Sequence, residues 1–146
     1  MNQELALKLY VVLSKAYRTA SDADKRQIRG YGLSSSEFAV LELLFHKGPQ
    51  PIQQLASRIL LTSGSMTYVI SQLEKKGLVR RVASEADRRV FYAELTDDGT
   101  AWIKDIFPVH QDFMYNMMDG ISEEDAETLI KLLKHLGKTI EGEVPV

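Results

Sequence analysis

Apolar residues recur along this chain mostly at helical spacing, and glycine, proline and capping residues mark the breaks between periodic stretches. From Glu4 to Ile28, the positions Leu9, Val12, Leu13, Ala16 and Tyr17 follow a 3.6-residue period. They predict a long opening helix ended by Gly30 and Gly32. Leu33-Ser34-Ser35-Ser36-Glu37-Phe38 predicts a second helix start. Ser34 and Glu37 have capping-box spacing, and Leu33 and Phe38 stand at the two positions of a hydrophobic staple. This helix continues through Leu41, Leu44 and Phe45 to Lys47-Gly48-Pro49, where glycine follows the last turn and proline blocks extension.

Pro51 is expected to open a short third helix with Ile52, Leu55, Ala56 and Ile59 on its inner side. A fourth is predicted from Thr62 to Lys76, entered through Leu60-Leu61. In it Met66, Val69, Ile70 and Leu73 fall at i, i+3, i+4 and i+7 and make one narrow apolar stripe. Its other positions, Ser63, Ser65, Thr67, Tyr68, Ser71 and Gln72, are polar or amphipathic. Two short helices joined by a tight turn, the second half polar, define a helix-turn-helix. Leu78 to Ala83 and Val90 to Leu95 are rich in β-formers and flank a polar tip, so they read as a hairpin. Thr96-Asp97-Asp98-Gly99 then starts a long helix to about Met118, with a kink expected at Pro108. Ser122-Glu123-Glu124-Asp125 starts the last, with Leu129, Leu132, Leu133, Leu136 and Ile140 on one face.

The fold class that follows is mainly α with a small β-hairpin wing (α+β). At 146 residues the chain is expected to form a single domain with a core of its own. No apolar run reaches the roughly 20 residues of a membrane span. The start, Met1-Asn2-Gln3-Glu4, lacks the basic-then-apolar pattern of a signal peptide, so a cytoplasmic location is expected. Zero cysteines exclude a disulfide framework, a thiol switch and Cys-ligated zinc.

Charge sharpens this picture. The net charge is −2, yet residues 47–92 hold eight Lys/Arg against three Asp/Glu, and residues 93–146 hold four against twelve. Because salt screens charges beyond about 10 Å at 0.1 M, the basic middle third matters more to a polyanion than the total does. A polar-fronted helix followed at once by a hairpin tipped Glu85-Ala86-Asp87-Arg88-Arg89 matches the two grooves of duplex DNA. The helix suits the wide major groove, and an Arg-bearing loop suits the narrow minor one. Thr62, Ser63, Ser65 and Thr67 offer hydroxyls to phosphates or base edges, and Gly64 allows close backbone approach. Tyr68 and Gln72 reach further, with glutamine suited to adenine. Arg80 and Arg81 lie at the hairpin base, and Arg80 is expected among the DNA contacts.

The order of elements resembles the MarR family of winged helix-turn-helix regulators over nearly the whole chain. The resemblance is carried by Leu61-Thr62-Ser63-Gly64-Ser65-Met66-Thr67, by Leu73-Glu74-Lys75-Lys76-Gly77-Leu78-Val79-Arg80-Arg81, and by Asp87-Arg88-Arg89 leading to Leu95-Thr96-Asp97-Asp98-Gly99. It implies a DNA-binding lobe over residues 33–96 and a helical dimerisation platform made of 1–30 and 97–146. It further implies that Asp87 braces Arg89 for the minor groove, with Arg88 as a phosphate neighbour. A two-fold dimer would set two recognition helices about 34–36 Å apart on an inverted-repeat operator. The function expected is that of a homodimeric repressor released by a small phenolic or aromatic effector.

An effector pocket is expected among Tyr17, Phe38, Phe45, His46, Phe107 and His110, with Tyr10 and Trp102 nearby, although aromatics at helical spacing are more often core. Glu42 and His46 stand i, i+4 on one helix, but the sequence places no third ligand beside them, so no metal or other cofactor is expected. No nucleophile–base motif, phosphate loop or paired-carboxylate pattern occurs, which argues against catalysis. Two alternatives stay open on the residues alone: a winged-helix module that binds an acidic protein, and a metal-responsive DNA-binding regulator.

Overall fold

A computed structural model describes residues 1–59 and 65–143. The chain divides into two units, 1–110 and 111–146. The first holds α1 (Gln3–Gly30), α2 (Ser35–Lys47), β1 (Gln50–Pro51), α3 (Ile52–Arg58), α4 (Met66–Lys75), β2 (Val79–Ala83), β3 (Phe91–Leu95) and the start of α5 (Asp97–Met118). The second holds the end of α5 and α6 (Glu123–Glu143).

Local chemistry explains most boundaries. Ser34 accepts from the Glu37 amide at 3.2 Å, and the Glu37 carboxylate accepts from the Ser34 amide at 3.3 Å, which closes the capping box of α2. Leu33 and Phe38, the staple pair, are both buried. At the end of α4, Leu78 N–H donates to the Leu73 carbonyl and Gly77 N–H to that of Glu74. That pairing needs a left-handed residue at Gly77, whose φ is 74°.

Three differences from the sequence expectations matter. Gln50 and Pro51 form a two-residue strand paired antiparallel with β3, Gln50 opposite Ala93, so the hairpin is part of a three-stranded sheet ordered β1-β3-β2. Pro51 is the N-cap of α3 rather than its first residue. The fourth helix begins at Met66 and not at Thr62, because Ser65 is extended and caps it, accepting from the Tyr68 amide at 3.2 Å. Thr62, Ser63 and Gly64 lie outside the described residues.

The core of the first unit is built by α2 and α4 with the sheet. Phe38, Leu41 and Leu44 from α2 meet Leu55 of α3, Met66, Val69, Ile70 and Leu73 of α4, and Val79, Ala93 and Ile103. Burying each large side chain contributes about 1.5–3 kcal/mol, so the α4 stripe alone fixes which face of that helix looks outward. The start of α5 lies hard against the turn after α4. Thr96 donates its hydroxyl to the Gly77 carbonyl at 2.6 Å and its amide to that of Leu78 at 3.1 Å. A Cβ at Gly99 would stand 1.9 Å from the Leu78 carbonyl oxygen, so only glycine fits there.

In the second unit, Ser122 caps α6 by accepting from the Asp125 amide at 3.1 Å. Its Leu129, Ile130, Leu132, Leu133 and Ile140 are all exposed. The N-terminal half of α1 is equally bare, with Leu5, Leu7, Leu9, Tyr10, Val11 and Val12 exposed. None of the helices of the described residues is long and apolar enough to cross a membrane.

Candidate nucleic-acid interface

With Met66, Val69, Ile70 and Leu73 turned inward, α4 presents Thr67, Tyr68 and Gln72 away from the core. Tyr68 is 63% exposed, a large aromatic ring held out in solvent. The Ser65 hydroxyl accepts from the Tyr68 amide and so serves the helix first.

The wing tip carries an exposed ion pair. Arg89 is 90% exposed at its side chain, yet its guanidinium grips both oxygens of Asp87, Nε to Oδ1 and Nη2 to Oδ2, each at 3.1 Å. The Arg89 amide also donates to Asp87 Oδ1 at 3.0 Å. These side-chain and then backbone bonds hold the Asp87 carboxyl below the usual carboxylate range. A fork fixed before contact loses less rotamer freedom on binding than a free arginine does. Arg88, exposed beside it, adds a second guanidinium to the tip.

Strand alternation separates the two arginines at the hairpin base. Arg80 stands opposite Glu94 in the sheet and is ion-paired to it, on the face shared with Val82 and Tyr92. Arg81 lies on the other face, with buried Val79 and Ala93, and reaches α4. Its Nη2 donates to Ser71 Oγ at 3.0 Å and to the Thr67 carbonyl at 3.4 Å, and its Nε stands 2.9 Å from Glu74 Oε1. The sequence expectation counts Arg80 among the DNA contacts; in the structure its exposed side chain is paired across the strands with Glu94. The period of two along β2 was the signal that could have told these neighbours apart.

The expected pocket residues fall into separate groups. Phe38, 2% exposed, lies 4.5 Å from His110, 6% exposed, between ring centroids, and Tyr31 meets both, with Trp102 edge-on to Tyr31. Phe45, His46 and Phe107 make a second group, further along α2 and earlier along α5, with His46 and Phe107 centroids 4.8 Å apart. Tyr17 belongs to neither group and is 62% exposed on α1. His110 Nε2 stands 3.9 Å from Asp24 Oδ1, and burial pushes the Asp24 carboxyl up while His110 partly opposes the shift. Sequence reasoning missed Asp24 and Tyr31. Among the described residues no three His, Asp or Glu side chains converge as metal ligands would.

Comparison with known proteins agrees with this geometry. A family model described as MarR family matches residues 33–91. The HTH-type transcriptional regulator MhqR of Bacillus subtilis is 48% identical over 134 residues, 92% of each chain. The uncharacterized HTH-type transcriptional regulator YkoM of the same organism is 41% identical, over 92% of this chain and 87% of its own. The crystal structure of AbsC, a MarR family transcriptional regulator from Streptomyces coelicolor, superposes with a TM-score of 0.84 at 21% identity, covering 98% of this chain and 99% of its own.

Proposed function

Since this chain belongs to the MarR family of transcriptional regulators, we propose that it acts as a homodimeric repressor that straddles an inverted-repeat operator and leaves it when a small aromatic compound binds. DNA-binding regulation, not catalysis, is the activity of the family and of the relatives named above.

One observation carries the reading: a helix with an outward polar face is joined through a single turn to a wing whose Arg89 is already oriented by Asp87. In this arrangement Thr67, Tyr68 and Gln72 enter the major groove, together with the segment containing Thr62, Ser63, Gly64 and Ser65. Arg89 enters the adjacent minor groove, where width and negative potential favour an arginine. Arg88 neutralises a phosphate. Arg80 contributes only if Glu94 yields it.

Residues 33–96 act as the reading lobe, and 1–30 with 97–146 as the platform. The bare apolar residues of α1 and of α6 support that division, because exposed apolar helix faces are the kind of surface that a second copy covers. An aromatic effector is supported by the group Phe45, His46 and Phe107 on α2 and α5, which is only partly buried and where a flat ligand can exchange ring contacts. Effector binding would favour a lobe spacing that no longer fits the operator.

The test is selection of a preferred duplex from a random library by the full chain, followed by mobility shift with competitor DNA and a panel of phenols. The reading expects an inverted repeat, a shift that survives competitor, and loss of that shift with at least one phenol. A selected sequence without two-fold symmetry, or no sequence preference at all, contradicts it.

A further inference from the structure

We infer that Arg81 is a positioning residue that sets the angle between the recognition helix and the wing, and so determines how selectively the two engage DNA together. The inference rests on the assignment of α4 and the wing as the DNA-reading pair.

Thr67, Ser71 and Glu74 stand at i, i+4 and i+7, one strip along α4 that borders the buried stripe. Arg81 touches all three, through Nη2 to Thr67 and Ser71 and through Nε to Glu74. A single guanidinium on β2 therefore spans about two turns of the helix. Only a planar fork can do this; an ammonium is a point donor on a flexible stem.

Charge argues the same way. An acid on a helix that meets a polyanion weakens phosphate attraction unless it holds something in place. Glu74 holds Arg81, and the paired charges add almost nothing to the field at the wing. Arg81 is thus accounted for by what it ties and not by phosphate neutralisation. The gain from tying is effective concentration: once α4 is seated, a wing at fixed pitch delivers Arg89 to the next minor groove without a search. A wing free to pivot binds any duplex by charge and rewards the correct one less.

The experiment uses the full chain, a duplex enriched from a random library by the wild-type protein, and a shuffled duplex of equal length. Arg81→Lys keeps the charge and removes the fork. It is expected to lower the ratio of enriched- to shuffled-duplex affinity about ten-fold, while the slope of log K against log salt stays that of the wild type. Glu74→Gln should lower the same ratio although it removes a negative charge, and the double variant should be little worse than either single one. Arg81→Lys with an unchanged ratio, which includes an equal loss on both duplexes, overturns the inference, as does Glu74→Gln with a ratio equal to or above that of the wild type. Arg89→Ala run in parallel distinguishes the two levels. If it weakens the enriched duplex and Arg81→Lys leaves the ratio unchanged, only the brace fails. If Arg89→Ala has no effect, the wing assignment and the brace fall together.

Discussion

At the scale of single residues, the wing tip turns on the pairing of Asp87 with Arg89. Arg89→Ala is expected to weaken operator binding about ten-fold, roughly 1.4 kcal/mol, and to relax preference for A·T-rich flanks, as read by mobility shift on altered duplexes. Asp87→Asn keeps the side-chain size and removes the carboxylate that holds the fork, so it should lose part of the same affinity. The pH dependence follows from the direction of the Asp87 shift. A carboxyl held below its ordinary value stays ionised through the usual carboxylate range, and the brace is lost only as pH falls through that lowered value. Operator affinity should therefore show no Asp87-linked change from neutral pH down to mild acid. Asp24 behaves in the opposite sense, because burial raises it. Its charged form is disfavoured in the fold, so stability declines as pH rises from the ordinary carboxylate value through the raised one. Asp24→Asn should raise the melting temperature at neutral pH, with the gain vanishing in acid.

Among elements, the turn between α4 and β2 and the start of α5 make one tight joint. Gly99→Ala drives a methyl group against the Leu78 carbonyl oxygen and is expected to destabilise the fold by about 2–3 kcal/mol or more, measured by urea unfolding. At the other side of α4, Lys76 donates to the Gly32 carbonyl at 3.2 Å and pairs with buried Glu37 at 2.6 Å, which ties the helix end to the corner between α1 and α2. Lys76→Met leaves that carboxylate without its cation and should cost about 1–2 kcal/mol. Much of this layer was legible in the sequence. The capping box at Ser34, the glycine ending α4 and the apolar stripe of α4 are local signals, and they placed α2, the end of α4, the hairpin strands and α5 within a residue or two. What was not legible depends on tertiary neighbours. A two-residue strand containing Pro51 has no period to read, and Ser65 looks the same as a helix interior or as a cap. Gly99 is required by a carbonyl twenty-one positions earlier in the chain. The Arg80 and Arg81 contrast was available from strand alternation, but only their partners Glu94 and Glu74 make it chemically meaningful.

For the whole molecule, the reading joins local basicity to apolar faces that a lone chain leaves in water. The basic residues are concentrated in the middle third and the acidic ones in the C-terminal third, which is the distribution the proposed reading lobe requires. Leu133→Asp or Val12→Asp would place a charge on such a face and should shift the chain toward monomer in sedimentation, with operator affinity falling as the second half-site contact is lost. The most direct test of the central claim is affinity measured on the selected inverted repeat as the spacer between its halves is lengthened by about five base pairs, half a helical turn. Paired helix–wing units held at a set spacing predict two chains per duplex and a fall of at least ten-fold when the halves rotate to opposite sides. One chain per duplex, or affinity indifferent to the spacer, would contradict it.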